Sequence, residues 1–170
     1  MSAVINIFLA LLACTIITTA AGAVAKRPGD LWSYYHFDGI AFKAGPSTDN
    51  KSFVAVREGV RPVVLSDTSK IEPIDLPDGA GAISGICYIQ SSGGKLGSGS
   101  GYEACPRVPL LISSGGKQLV TVLTDDQGYF TVVLAAGTYS IGGGPLTAEI
   151  QVERGITTLV PLRAGKRMVD

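Results

Sequence analysis

The 170-residue sequence has little charge and almost no histidine. Charged residues make up 16% of the chain, and its 14 acidic residues balance its 14 basic ones. A protein that binds nucleic acid through the phosphate backbone needs clustered lysine and arginine, and no stretch of this sequence provides them. The one histidine, His36, would have to serve in any Ser-His-Asp or Cys-His arrangement. The composition therefore argues against a nucleic acid partner and against the common hydrolase triads.

Charge is also missing from the segment Ser2 to Ala25. Its apolar run gives way to small residues, ends in A-V-A and is followed directly by Lys26-Arg27. This outline is typical of a secretory signal peptide with an A-x-A cleavage site. We therefore expect residues 1–25 to be removed and the protein to be exported to the periplasm, the cell surface or the medium.

Two alternatives to cleavage remain open for this segment. Its apolar length of about 20 residues could span a bilayer as a retained anchor. The run Leu11-Leu12-Ala13-Cys14 is similar to a lipobox, in which the cysteine becomes lipidated. Contact with a membrane is expected only in these two cases, retention of Ser2 to Ala25 or lipidation of Cys14.

Only two cysteines, Cys87 and Cys105, follow the signal segment. An even pair in an exported chain indicates a disulfide, and closing the loop 88–104 would stabilise the fold by roughly 3 kcal/mol. The C-x-x-C spacing of redox sites is absent, and two isolated thiols are too few ligands for a zinc site. We predict a Cys87–Cys105 disulfide and no metal, cofactor or catalytic residue.

After residue 26 the chain alternates short apolar segments with turn residues, and glycine contributes 22 positions. Turn signals at intervals of roughly 8 to 12 residues, without an amphipathic helical stretch, predict an all-β sandwich. Charged or amide residues at 149, 151 and 153 mark the segment 146–152 as an edge strand or a strand with one wet face. The predicted strands are 32–42, 52–56, 62–65, 85–90, 108–113, 119–124, 129–134, 138–141, 146–152 and 157–162.

The motif S-S-G-G-K occurs twice, at 91–95 and 113–117. A phosphate-binding loop of the Walker type would need a hydroxyl residue after the lysine and a helix beyond it. Leu96 and Gln118 stand there instead, and no helical pattern follows. We interpret the second copy as a tight hairpin. The first copy opens a Gly- and Ser-rich loop, 91–104, whose binding role stays open.

The stretch 124–130 reads T-D-D-Q-G-Y-F and is followed by G-T-Y at 137–139. We expect Asp125 to accept backbone N–H groups within a turn, Gly128 to adopt a positive φ, and Phe130 to enter the core. Together with the segments around it, this pattern resembles the carboxypeptidase regulatory-like or Cna B-type domains over residues 81–162. The turn residues that carry the resemblance are Asp125, Gly128, Phe130, Gly137 and Tyr139.

The resemblance implies a Greek-key, seven-stranded β-sandwich of the transthyretin-like (prealbumin-like) type. It also implies an extracytoplasmic, non-catalytic module that stabilises, spaces or docks other domains. Some Cna B-type domains carry a Lys–Asn isopeptide bond, but the last predicted strand, 157–162, contains neither Asn nor Asp. Such a bond is therefore not expected in this chain.

The segment 26–80 precedes this region and forms an N-terminal β extension in our interpretation, with the sandwich spanning 81–170. Four aromatic residues stand within six positions of it. They either add a strand that caps the core, or form an exposed docking surface for a protein or a glycan. These four residues are Trp32, Tyr34, Tyr35 and Phe37.

The functional expectation is a secreted or cell-surface β-sandwich module with a structural or binding role, an accessory or subunit of a surface assembly. Its partner would be an unidentified protein or carbohydrate. Two alternatives stay open: a small exported hydrolase with an unrecognised serine-based site, and a membrane-anchored or lipidated periplasmic component.

Overall fold

The computed structural model describes residues 31–47, 51–66, 70–93, 101–143 and 146–169, and the regular elements in these ranges are all strands. The expected signal segment and Cys14 lie outside them. Within the same ranges, no helix has the length and apolar character needed to cross a membrane. The strands are β1 (Ser33–Phe37), β2 (Phe42–Ala44), β3 (Phe53–Arg57), β4 (Val60–Leu65), β5 (Ala80–Gly93), β6 (Gly101–Ala104), β7 (Pro109–Ser114), β8 (Lys117–Leu123), β9 (Tyr129–Ala135), β10 (Gly137–Gly143), β11 (Leu146–Val152) and β12 (Thr157–Val169).

The strands form three sheets, which confirms the all-β prediction. The N-terminal sheet has the order β2-β1-β3-β4, and the outer sheet has the order β11-β10-β7-β8. The central sheet has the order β12-β5-β6, with β9 also paired to β5. Neighbouring strands run antiparallel, except that β12 pairs with β5 in parallel from Thr157↔Ala82 onward. As expected from its polar face, β11 is an edge strand.

Strand β5 lies in the middle of the molecule and is buried on both faces. Ile83 and Cys87 belong to the apolar cluster shared with the outer sheet. Ile86 and Tyr88 belong to the cluster shared with the N-terminal sheet. Because successive side chains of a strand point to opposite faces, β5 contributes to two cores at once. The central sheet is therefore the middle of three layers.

The N-terminal sheet is joined to the central sheet by aromatic packing and by a buried hydrogen bond. The Phe37 ring lies 4.6 Å from the Tyr88 ring and 4.9 Å from the Tyr102 ring, measured between centroids. The Tyr129 hydroxyl donates to the Ser52 carbonyl oxygen at 2.8 Å. These contacts attach residues 33–65 firmly to the sandwich.

The predicted strand 32–42 is in fact two strands, β1 and β2, joined by a tight turn. The Asp38 carboxylate accepts the backbone N–H groups of Ile40 and Ala41, both at 2.8 Å, and Gly39 has a φ of 102°. An aspartate followed by glycine favours such a turn over a continuous strand. The remaining predicted strands all occur, and most of their ends are displaced by three residues or fewer. Strand β5 begins five residues before its predicted start, β12 ends seven residues after its predicted end, and β6 was not expected.

Candidate functional site

The outer face of the β7–β8 hairpin exposes large apolar side chains. Leu110 and Ile112 of β7 point into the core, so Leu111 between them points outward and is 42% exposed. On β8, Leu119 is 51% exposed and Leu123 is 61% exposed. We call this area, made by Leu111, Leu119, Thr121 and Leu123, the β8 surface. Neighbouring exposed apolar residues on one face mark an interaction site more often than scattered ones do.

Strand β8 also presents an edge, because it pairs with β7 on one side and ends the outer sheet on the other. The Thr124 N–H donates toward β7, to the Val108 carbonyl oxygen at 3.1 Å. By the alternation of an antiparallel ladder, the backbone groups of Val122 also point to β7, and those of Thr121 and Leu123 point away from it. A bulge at Leu119 leaves the pairing of 120–123 with β7 regular.

The hairpin turn that joins β7 to β8 is the second S-S-G-G-K copy. Gly115 and Gly116 have φ values of 56° and 79°, and Ser114 pairs with Lys117 across the turn. Two successive positive φ angles match the twist of the strands on either side, which confirms the predicted tight hairpin. The glycine pair thus holds β8 beside β7 and presents its edge. In the first copy, 91–93 belong to β5, and the rest lies outside the described residues.

A second candidate site is a concave region between the N-terminal sheet and the turn 125–128. It is a cleft of about 470 Å³. The Ser52 N–H donates to Gln127 Oε1 at 3.3 Å, and Lys51 Nζ lies 5.7 Å from the centroid of the Tyr102 ring. The lining residues are Asp38, Lys51, Ser52, Gly101, Tyr102, Ala104, Asp126, Gln127 and Tyr129.

Both carboxyl groups of this cleft are held in the ionised form. The pKa of Asp38 is lowered, chiefly because its carboxylate accepts the Ala41 N–H. The pKa of Asp126 is lowered by a hydrogen bond from Arg107 Nε at 2.8 Å and by the charge of that guanidinium. A general acid at neutral pH needs a raised carboxyl pKa, so these groups are suited to contacting polar ligands rather than to proton transfer.

The turn 125–128 has the predicted geometry. Asp125 Oδ1 accepts the N–H groups of Gln127 and Tyr129, both at 2.8 Å, and Gly128 has a φ of 79°. Phe130 is buried in the cluster between the central and outer sheets. Gly137 begins β10, and the Tyr139 hydroxyl donates to the Ala135 carbonyl oxygen at 2.9 Å. These residues therefore fix the fold through the turn and the core.

The four N-terminal aromatic residues lie mainly in the interior. Trp32 and Tyr34 are buried in a cluster on one face of the N-terminal sheet, and Phe37 is buried on the other. Tyr35 is half-buried. An aromatic docking surface needs exposed rings, so that alternative is corrected for Trp32, Tyr34 and Phe37. Phe37 packs against Tyr88 of the central sheet and so caps its core, whereas Trp32 and Tyr34 form a separate cluster within the N-terminal region. Nearby, His36 Nδ1 donates to the Gly45 carbonyl oxygen at 3.0 Å.

Cys87 and Cys105 are neighbours on adjacent backbone segments, although both are present as thiols. The Cys105 N–H donates to the Cys87 carbonyl oxygen at 2.9 Å, and the two thiols are hydrogen-bonded to each other. Both side chains are buried. Facing residues of antiparallel segments have Cα atoms about 4.5–5.5 Å apart, which is within the range that a disulfide bridges.

We expect the reduced protein to lose stability as the pH rises above about 9, where an unfolded thiol ionises. Burial and the neighbouring Cys105 raise the pKa of Cys87 to about 12. Burial also raises the pKa of Tyr129. Between the unfolded and folded pKa values the unfolded chain binds fewer protons, so stability falls with pH. Denaturant midpoints measured from pH 7 to 11 check this. A Cys87→Ala variant should show a shallower decline, and an equal decline would contradict the assignment to Cys87.

No family model matches the chain, and no curated protein matches it. It is similar to a solved DUF3823 family protein from Parabacteroides merdae ATCC 43184, at 18% identity and a TM-score of 0.34, over 51% of this chain and 46% of that one. It is also similar to GBS52, the minor pilin of Streptococcus agalactiae, at 12% identity and a TM-score of 0.36, over 76% of this chain and 66% of that one. The chain spans about half the length of the first of these proteins.

Within residues 31–47, 51–66, 70–93, 101–143 and 146–169, no group of three or more His, Cys, Asp or Glu side chains is placed to hold a metal ion.

The β8 surface was missed by sequence reasoning. A run of leucine and valine in a strand predicts burial, and its exposure depends on where the strand lies in the sheet.

Proposed function

We propose that this chain is a non-catalytic, exported β-sandwich module that acts by binding other protein chains in a surface assembly. The observation that carries the proposal is the β8 surface. Leu119 and Leu123 leave more than half of their side chains exposed on a strand whose edge is unpaired. Apolar side chains beside an unpaired edge provide both the burial and the backbone hydrogen bonds that protein association uses.

The rest of the fold supports the binding role by holding the β8 surface in a fixed position. The long strand β5 of the central sheet contributes side chains to the cores shared with both other sheets. The contacts of Phe37 and Tyr129 fix the N-terminal layer to the central one. A site on a rigid element loses little conformational entropy on binding. The layers therefore hold the β8 surface in one orientation for a partner.

Export is supported by the sequence of residues 1–25, which is typical of a signal peptide, and by the placement of Cys87 beside Cys105. Disulfides form in oxidising compartments outside the cytosol. Mass spectrometry of the protein from cells that produce it tests this proposal. We expect an N-terminus at Lys26, whereas an intact Met1 or an acylated Cys14 would indicate an anchor or a lipoprotein.

The binding role is tested by cross-linking in producing cells. We expect the wild-type chain to enter a larger complex and the Leu123→Lys variant to enter it much less, because the charge would have to be desolvated. Glu149→Lys on the opposite edge strand, β11, is the matched control and should leave the complex intact. An unchanged complex with Leu123→Lys would remove the β8 surface from the proposal. A turnover of ester, peptide or glycoside substrates that a serine-reactive probe abolishes would overturn the non-catalytic role.

A further inference from the structure

We infer that strand β8 pairs antiparallel with β8 of a second copy of the chain, with a twofold axis through Thr121. This inference rests on the proposed binding role and names the partner. The two outer sheets would then join into one continuous sheet across the β8–β8 seam. Four observations, each from a different property of the strand, support it.

The first observation is the sequence of β8. Residues 119–123 read L-V-T-V-L, which is the same in both directions about Thr121. Two antiparallel copies related by a twofold axis through Thr121 place each residue opposite its own type. Leu119 faces Leu123 of the second copy, and Val120 faces Val122. Matched β-branched and aliphatic pairs across a ladder are favourable.

The second observation is the direction of the free backbone groups. Thr121 and Leu123 point their N–H and C=O groups away from β7, so these groups are available to a new neighbour. Within 120–123 strand β8 has no charged residue, no proline and no bulge, which are features that usually protect an edge. The bulge at Leu119 lies just before this stretch.

The third observation is the effect of the register on the exposed leucines. With the axis at Thr121, Leu119 of each copy lies opposite Leu123 of the other, so this contact occurs twice in the dimer. Moving the axis to Val120 would place Leu123 opposite Lys117, and moving it to Val122 would place it opposite Thr121. An axis at Leu119 or Leu123 would pair only one of the two leucines with its own copy, whereas the axis at Thr121 pairs both of them.

The fourth observation is charge. The same register brings Lys117 of one copy opposite Asp125 of the other, and the contact is repeated by symmetry. Lys117 is the one charged residue of β8, and Asp126, next to Asp125, is already paired with Arg107. Asp125 is exposed and uses Oδ1 to accept the N–H groups of its own turn, so its contact with Lys117 would be made through Oδ2. Opposite charges at both ends of the seam disfavour slipped registers.

A contact made by one strand and a few leucines is small, so we expect a weak dimer with a dissociation constant between about 1 μM and 1 mM. Sedimentation equilibrium of the full chain should show monomers converting to dimers over this range. Leu123→Lys and Lys117→Glu should each shift the equilibrium toward monomer by tenfold or more. The control Glu149→Lys should leave it unchanged.

The register is tested by a single cysteine at the axis. In Thr121→Cys the two new thiols would face each other, at the Cα separation of about 5.5 Å that a disulfide bridges. We expect oxidation to give a covalent dimer. In the control Gln118→Cys the two thiols would lie about 20 Å apart along the strands, and little cross-linking should follow. The parent protein carries the native cysteines and sets the background.

The inference is overturned if the chain stays monomeric up to about 1 mM, or if both cysteine variants cross-link equally. A monomeric chain whose cellular complex is still lost in Leu123→Lys would mean that another protein occupies the β8 surface. In that case the proposed function stands and the self-pairing fails. Conversely, a catalytic turnover in a chain that dimerises through Thr121 would remove the proposed function and leave the pairing.

Discussion

Replacing Phe130 with alanine is expected to lower the free energy of unfolding by about 3–5 kcal/mol. The Phe130 ring is 3% exposed and lies in the cluster between the central and outer sheets. Gly85 of β5 makes room for it, because a Cβ atom at Gly85 would approach Phe130 Cζ to 2.6 Å. Removing the ring would leave a void that the paired strands on either side cannot close. Since domains are stable by about 5–15 kcal/mol, much of the protein would unfold at moderate temperature.

Equilibrium unfolding in guanidinium chloride, followed by circular dichroism, measures this effect. Leu123→Ala is the control, because Leu123 is 61% exposed and its truncation should cost the monomer little. Phe130→Leu should fall between the two, since it retains most of the apolar volume. A loss for Phe130→Ala no larger than that for Leu123→Ala would mean that the ring is not part of a closed core.

Forming the Cys87–Cys105 disulfide is expected to raise the free energy of unfolding by roughly 3 kcal/mol, as the closure of its loop removes freedom from the unfolded chain. The two thiols are buried and hydrogen-bonded to each other, so little movement is needed to join them. The bond would also tie β5 to the start of the segment that leads into β7. The measurement is the denaturant midpoint with and without reductant, together with the intact mass, which falls by two hydrogen atoms when an added oxidant such as oxidised glutathione accepts the two electrons.

The double variant Cys87→Ala, Cys105→Ala is the control for this prediction. Its stability should be the same in oxidising and reducing conditions and close to that of the reduced parent. If the parent also shows no dependence on reductant, or if its mass shows free thiols in protein from producing cells, the disulfide prediction is wrong.

The turns of this fold could be predicted from sequence because each is determined by a few adjacent residues. In one turn, Asp125 accepts the N–H group of a residue within five positions, and Gly128 has the positive φ that the turn needs. In another, Gly115 and Gly116 can adopt the positive φ angles that a two-residue hairpin requires. Gly59 likewise has a φ of 71° and lies in the gap between the predicted strands 52–56 and 62–65. Strands between such turns could be placed to within a few residues because apolar runs mark them.

The arrangement of the strands in space could not be predicted in this way. The burial of Phe37 depends on the N-terminal sheet stacking on Tyr88 of β5, about 50 positions away, and no local pattern encodes that contact. Strand β6 lies in a Gly- and Ser-rich stretch and forms because β5 offers it a partner from Tyr88 to Ser91. The exposure of Leu123 follows from the place of β8 at the end of its sheet.

The parallel pairing of β5 with β12 has a consequence for the order in which the protein folds. Ala82 pairs with Thr157, and Tyr88 pairs with Arg163. The central sheet is therefore complete only after residues 157–163 have joined β5. Contacts between such distant positions form slowly, because the entropy of closing a long loop is lost before the contacts stabilise the chain. Strand β12 is thus needed to complete the middle layer, and a chain being synthesised would remain incompletely folded until residues 157–169 are made. If the chain is exported as we propose, this late step would keep the central sheet open while residues 80–156 cross the membrane in extended form.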